Sequence, residues 1–422
     1  MKKILVIGSG GREHAICEQF RKSTKLDQIF CLPGNAGISE IAQIVDGIKI
    51  DEHQKIIDFC QKNKIDFVFV GPEQPLVAGL VDDLEKVGIR VFGPNKNAAQ
   101  LEGSKIFMKK IVSENGVPTA AYETFTDEKS ATEFAKKLGF PCVIKTDGLA
   151  AGKGVIIPQN FEEAEAAIKE VFAGKFGAAG NKIIIEEFLD GFEASYFVLC
   201  DGKNFVPLGF AHDHKRVGDN DTGPNTGGMG TYAPSPFIDK KLEEEIIEKI
   251  IRPSLRGIEF RGILFAGLMI GSKGPKLLEY NVRFGDPETQ VILPRIKTDF
   301  IDLIEAAIEG RLNEIKVEFD EEKKLVCVVM CAKGYPENYE KGTEIKGLEK
   351  ISEAKILHAG TLKKDGKILA NGGRVLNIVA EANSFESARN KAYEAIAKID
   401  WKEGFCRKDI GLKASFEKGG GA

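Results

Sequence analysis

Residues 4–13 read Ile4-Leu5-Val6-Ile7-Gly8-Ser9-Gly10-Gly11-Arg12-Glu13, and this stretch decides the fold. A short, wholly apolar run ending in glycines reads as a strand buried on both faces, followed by a sharp turn. Working outward, residues 29–32, 67–70 and 91–92 repeat the pattern. Each run ends in turn chemistry: Pro33-Gly34-Asn35-Ala36-Gly37, Gly71-Pro72-Glu73 and Gly93-Pro94-Asn95. Between the third and fourth runs, Leu80, Val81, Leu84 and Val87 recur at helical spacing. The alternation predicts an α/β fold with an N-terminal, doubly wound parallel-sheet domain over residues 1–101. Ligands of such sheets sit at the carboxyl ends of the strands, so the four turns gather on one functional edge. A dinucleotide reading of the glycine turn fails on two counts: Glu13 stands at the third glycine position, and no acid closes the second strand. Free N–H groups and the helix dipole would suit a single phosphate there; alternatively the glycines merely permit a tight turn.

The chain has 422 residues, 43% hydrophobic and 29% charged, which suits about two to four domains. A net charge of −4 supplies no basic field for nucleic acid. Small anionic substrates remain open, because local cations and backbone N–H groups bind phosphate on an acidic protein. No apolar run approaches the ~20 residues of a membrane span. The short run after Met1-Lys2-Lys3 enters its glycine turn too soon for a signal peptide. Eight cysteines lie scattered, with Cys142, Cys200, Cys327 and Cys331 inside apolar runs, which predicts a reduced, cytoplasmic protein. His14, His53, His212, His214 and His358 show no metal or triad spacing.

Further along, a helix buries Leu101, Phe107, Met108 and Ile111. A strand, glycine turn and strand follow over residues 141–158, then a helix over 161–172 and a strand over 183–189. Residues 212–234 are polar, glycine-rich and without periodicity, which predicts a long functional loop. Strands near 264–270 and 276–281 and a helix over 300–308 complete a middle domain, residues 102–322. The charged Asp320-Glu321-Glu322-Lys323-Lys324 marks its end. Strands over 325–332 and 374–380 and a helix over 385–399 predict a small α+β domain, residues 323–422.

Three motifs in the middle region carry chemistry. Lys145-Thr146-Asp147-Gly148-Leu149-Ala150-Ala151-Gly152-Lys153-Gly154-Val155 places two lysines on a glycine hairpin. The following residues continue as strand, so this is not the loop that opens a helix in other nucleotide sites. A flexible hairpin folding over phosphates is one reading; an ordinary glycine hairpin is the other. Glu186-Glu187-Phe188-Leu189, with Glu193, reads either as a strand leaving its sheet, able to offer backbone groups to an adenine edge, or as an ordinary strand end. Leu278-Glu279-Tyr280-Asn281-Val282-Arg283-Phe284-Gly285-Asp286-Pro287-Glu288-Thr289-Gln290 is the most specific. On a strand, Glu279, Asn281 and Arg283 face one side. Glu279 and Asn281 are hard oxygen ligands suited to Mg²⁺, and Arg283 can grip a carboxylate or phosphate. A structural ion pair between Glu279 and Arg283 is the plainer alternative.

In this order the segments resemble the ATP-grasp superfamily. With Leu101-Glu102-Gly103-Ser104-Lys105, Asp213-His214-Lys215-Arg216 and Gly223-Pro224-Asn225-Thr226-Gly227-Gly228-Met229-Gly230, the chain is similar to the phosphoribosylamine–glycine ligase family from Met1 to about Gly411. Cys406 departs from the aromatic residue usual there. The resemblance implies an ATP-grasp domain over 102–322, with a small lid subdomain over about 119–190. It implies ligation of glycine to 5-phosphoribosylamine through glycyl phosphate, giving glycinamide ribonucleotide, ADP and phosphate in purine biosynthesis. It further implies that Lys105, Lys145 and Lys153 hold ATP phosphates, while Glu186, Glu187, Leu189 and Glu193 hold the nucleoside. Glu279 and Asn281 would take Mg²⁺ or Mn²⁺, with Arg283, Lys145 and Asp286 catalytic. Gly10, Gly11, Asn35, Glu73, Asp213, Lys215, Arg216, Gly228 and Arg295 would bind the other substrates. A monomer without nucleic-acid or membrane partners is expected. A carboxylase of the same superfamily is disfavoured by the 223–230 and 283–290 motifs. A non-catalytic nucleotide-binding module is disfavoured by the presence together of Glu279, Asn281 and Arg283.

Overall fold

The computed structural model describes residues 1–148 and 154–416. The opening run forms strand β1 (Lys2–Gly8), with Ile4, Leu5, Val6 and Ile7 all fully buried. With β2 (Leu26–Pro33), β3 (Gln43–Ile44), β4 (Phe67–Val70) and β5 (Val91–Phe92) it makes a parallel sheet in the order β3-β2-β1-β4-β5. Four of these are the expected strands. β3, two residues long, is too short to show a pattern. At the carboxyl end of β1, Gly8 has φ +129°, and a Cβ there would stand 2.4 Å from Glu13 Cγ. Only glycine fits such a turn.

A second unit comprises β6 (Tyr122–Phe125), β7 (Cys142–Thr146), β8 (Val155–Ile156) and β9 (Ile183–Glu187), ordered β6-β9-β7-β8 and antiparallel. Helices Glu128–Leu138 and Phe161–Glu170 back it, started by side-chain caps from Asp127 and Asn160. Its core of Ala131, Ala135, Ile144, Ala164, Ile168, Ile183 and Ile185 is separate from the rest. Residues 149–153, which fall between β7 and β8 in sequence and include the expected Lys153, lie outside the described residues.

The remaining strands are β10 (Phe192–Asp201), β11 (Phe205–Asp213), β12 (Arg216–Gly218), β13 (Thr222–Asn225), β14 (Gly230–Ala233), β15 (Arg261–Gly271), β16 (Gly274–Asn281), β17 (Lys324–Ala332), β18 (Glu344–Ile345), β19 (Lys355–His358), β20 (Thr361–Lys364), β21 (Lys367–Ala370), β22 (Arg374–Ala382) and β23 (Gly404–Phe405). Most join one sheet in the order β16-β15-β10-β11-β14-β17-β22-β19, with β23 beside β17. The expected long loop at 212–234 is therefore largely strand. β12 and β13 pair as a hairpin, and β14 lies between β11 and β17. Glycine and proline mask the period of these short segments, and the sheet's own hydrogen bonds override their weak propensity. The β14–β17 pairing carries the sheet across the charged 320–324 stretch.

Candidate active site

A cavity of about 1470 Å³ lies between the hairpin unit, the functional edge of the first sheet, and the face of the large sheet. Single ligand pockets usually hold roughly 300–1,000 Å³, so there is room here for more than one molecule. Its lining includes Glu73, Lys105, Lys145, Glu186, Glu187, Leu189, Glu193, Asp213, Lys215, Arg216, Glu279, Asn281, Arg283 and Asp286.

Lys105 opens helix Lys105–Glu114, whose N-cap Ser104 accepts from the Phe107 N–H, and Lys105 Nζ donates to the Gly148 carbonyl (3.2 Å). Lys145 Nζ stands 3.0 Å from Glu186 Oε2 and donates to the Leu278 carbonyl (3.2 Å). The other oxygen of Glu186 lies 3.1 Å from Lys109 Nζ, a fully buried lysine that also donates to Thr119 Oγ1 (2.7 Å). The Glu186 carboxylate is thus spent between two lysines, which leaves its backbone to meet a ligand. Burial, only partly offset by Glu186, brings Lys109 down to about 8. Glu187 pairs with Lys276 at 2.7 Å.

On β16, Leu268 pairs with Leu277 and Gly267 with Glu279, so Leu278 is an extra residue in the ladder. A bulge leaves that residue unpaired, and Lys145 takes its carbonyl. Tyr280 points away, buried, to Ser254 (2.7 Å), while Glu279 and Asn281 face the cavity. Burial pushes the Glu279 carboxyl up. The fields of Lys215, Lys145, Lys105 and Arg283 outweigh it and hold the group below its ordinary value. Arg283 does not pair with Glu279. Its guanidinium meets Glu102 (2.8 Å), Glu73 (3.2 Å) and Asn281 Oδ1 (3.0 Å). Burial would lower Arg283, but Glu102 and Glu73 keep it charged. Glu73 answers in kind: against burial, Arg283 and Arg12 bring it down to about 2.

Across the cavity, Asp213 is held between Gly228 and Glu288. Gly228 has φ +116°, and a Cβ there would lie 2.7 Å from Asp213 Oδ1. That oxygen is buried without a hydrogen-bond partner. Burial, then the neighbouring Glu288, pushes the Asp213 carboxyl well above the ordinary range. Glu288, also raised by burial, accepts from Ser195 Oγ (3.1 Å). Lys215 pairs with Glu193 (2.7 Å), and Arg216 donates to the Gly223 carbonyl (2.7 Å). Asp286 accepts from Gln290 Nε2 (2.7 Å) and is held low, against burial, by Arg374 and Arg12.

Five expected residues stand apart from the cavity lining, among them Gly228, which packs against Asp213. The Gly10 N–H is taken by Glu13 Oε2 (2.6 Å), which fills the helix N-terminus with the chain's own carboxylate. Gly11 is packed against Asn377, where a Cβ would fall 2.2 Å from Nδ2. Asn35 spends its amide on the Ser9 and His358 carbonyls (both 2.8 Å). Arg295 is buried and turned to Glu321 (3.1 Å). Conversely, Glu102, Lys109, Glu288 and Arg374 were not singled out from sequence. Glu102 and Glu288 sat inside the quoted motifs, whereas Lys109 and Arg374 carry no local signal. Among the described residues, no group of three or more His, Cys, Asp or Glu could hold a metal ion, and no helix is long and apolar enough to cross a membrane.

Three family profiles match in sequence: phosphoribosylglycinamide synthetase, N domain, over residues 2–102; its ATP-grasp (A) domain over 103–289; and its C domain over 325–413. The phosphoribosylamine–glycine ligase of Brucella melitensis is 51% identical, covering 98% of each chain. That of Rhizobium meliloti is 50% identical, again covering 98% of each. The crystal structure of the Thermotoga maritima phosphoribosylamine–glycine ligase superposes with a TM-score of 0.83 at 35% identity, covering 96% of this chain and 99% of that one. With all three profiles in order along one chain, and relatives matched end to end, this chain belongs to the phosphoribosylamine–glycine ligase family.

Proposed function

We propose that the cavity joins glycine to 5-phosphoribosylamine at the expense of ATP, through a glycyl phosphate. One observation carries the reading: lysines of the ATP side, the Glu279–Asn281 edge and the Asp213–Lys215 wall all face one space. A carboxylate is a poor electrophile, so a glycine oxygen takes the γ-phosphoryl of ATP and ADP departs. The amine of phosphoribosylamine then attacks the acyl carbon. The C–N bond forms, the bond to the phosphate oxygen breaks, and the amine's proton leaves with the phosphate. Such chemistry needs placement and charge neutralisation more than a protein nucleophile.

Lys105 and Lys145 supply charge to the ATP phosphates. The backbone from Glu186 to Leu189 meets adenine, with Glu193 toward the ribose. Arg283, fixed by Glu73 and Glu102, is preorganised for the transferring phosphoryl and the tetrahedral intermediate. Asp286 steadies the loop after it. Asp213, Lys215 and Arg216 form the substrate wall opposite, with Gly228 packed against Asp213. A Mg²⁺ or Mn²⁺ ion fits Glu279, a carboxylate with no ion pair within 4.0 Å among the described residues, and the Asn281 oxygen. One or two such ligands suffice for Mg²⁺ carrying phosphates. When bound, that ion neutralises phosphate charge. The division into residues 1–101, 102–322 and 323–422, with a lid over 119–190, belongs to the same reading. So do a monomer and a cytoplasmic setting, which suits eight free cysteines, seven of them buried. ADP release tests the whole: it should require glycine and phosphoribosylamine together, and release supported instead by bicarbonate and biotin would overturn it.

A further inference from the structure

Arg374 opens β22, far along the chain from every motif quoted above, yet its side chain lines the cavity. Its Nη1 donates to the carbonyls of Gly227 (2.5 Å), Gly228 (3.4 Å) and Asp286 (2.5 Å). These three carbonyls belong to the two segments that wall the substrate side. The guanidinium lies so close to Gly227 that a Cβ there would stand 3.0 Å from Cζ.

All three bonds use one nitrogen. Among the described residues, Nη2 and Nε donate to no acceptor. The carboxylate oxygen nearest Nη2, Asp286 Oδ2, is 3.7 Å away, and Asp286 already has Gln290. The other cations on this side are committed: Lys215 to Glu193, Arg216 to the Gly223 carbonyl, and Arg283 to Glu73 and Glu102. Arg216 also keeps Nη2 and Nε unspent among the described residues, but one carbonyl of its own hairpin holds it, whereas three carbonyls on two separate segments fix Arg374. A guanidinium edge of two nitrogens matches a carboxylate or a phosphate bidentately, which a lysine cannot do.

We propose that Arg374 binds an oxyanion of a substrate, the glycine carboxylate or the phosphoribosylamine phosphate, through its Nη2–Nε edge, while Nη1 fixes the two substrate segments by their carbonyls. The assignment rests on the reading of the cavity given above. It makes the C-terminal part of the chain a direct contributor to substrate binding.

Arg374→Ala and Arg374→Lys test it, with KM measured separately for glycine, phosphoribosylamine and ATP. A thermal shift with ADP reports an intact nucleotide site. Losing a charge-assisted bidentate contact should raise KM for an anionic substrate roughly tenfold or more. KM for ATP should stay within about twofold of wild type. A rise for glycine assigns the carboxylate and a rise for phosphoribosylamine assigns the phosphate. Added guanidinium ion should recover part of the loss in Arg374→Ala. Arg374→Lys, which keeps charge but loses the fork, should remain impaired. If Arg374→Ala gives no ADP shift, the same KM criteria are applied to Arg374→Lys. Equal rises in all three KM values, or unchanged KM values in a folded variant, would overturn the proposal. Wild-type enzyme indifferent to glycine and phosphoribosylamine would instead overturn the reading of the cavity.

Discussion

Glu279 sits among four cations that outvote its burial, and it pairs with none of them within 4.0 Å among the described residues. A carboxylate left open in this way is available to a metal ion. Glu279→Gln keeps the shape and removes one charge, so half-saturating Mg²⁺ should rise, and turnover should fall about a hundredfold, as several kcal/mol of transition-state stabilisation are lost. Unaltered Mg²⁺ dependence at near-normal turnover would remove the metal role. Glu73 offers a pH test. Its folded value, about 2, lies below the ordinary 4.5 because of Arg283 and Arg12, against burial. Across that interval the unfolded chain binds the proton more readily, so stability rises with pH. The contribution is complete above about 4.5 and is lost as pH falls toward 2. The stability advantage of wild type over Glu73→Gln, followed by urea midpoints, should therefore shrink on acidification through this window. A constant difference would count against the Glu73–Arg283 pair. Residue types were legible where a strand presents them two apart, as at Glu279 and Asn281. Lys109 and Arg374 were not, because a buried lysine's partners and an arginine's reach across the sheet are tertiary facts.

The β6–β9 unit has its own small core and bears the hairpin that carries Lys145 at its base. An element packed mainly on itself can move as a body over a ligand. Saturating ATP with Mg²⁺ should slow amide exchange in β7, β8 and the hairpin between them; exchange indifferent to nucleotide would rule out a lid. At this scale the sequence served unevenly. The four apolar runs of the first sheet were readable because they are buried on both faces and end in glycine. β10 and β11 were not placed as elements, though Cys200 was read inside an apolar run: Ala194–Cys200 is buried on both faces and shows no alternation, and a bulge between Phe197 and Val198 breaks its register with β11. The β12–β13 hairpin hid behind glycine and proline. Arg407, 2% exposed, holds it by donating to the Arg216 carbonyl (3.0 Å) and Asp221 Oδ1 (2.9 Å), a contact no local pattern announces.

Across the whole molecule, the three profile segments follow one another along the chain, yet the large sheet does not respect the last boundary. β14 of the middle segment is hydrogen-bonded to β17 from Gly230–Val328 through Ala233–Leu325. Leu325, Cys327, Leu357 and Val379 pack in a core shared with β1, β2 and helix Phe300–Glu309. Glu321 and Glu322, in contrast, are exposed at the bend between the segments. Proteolytic cleavage at that bend should leave two fragments that migrate together on size exclusion without denaturant and keep most of the ligase activity; separation into two folded pieces would show that the shared sheet contributes little. The same pairing bears on inheritance as well as on chemistry. A gene interrupted at codons 321–322 should still complement when its halves are expressed from separate messages, whereas one interrupted inside β17 should not.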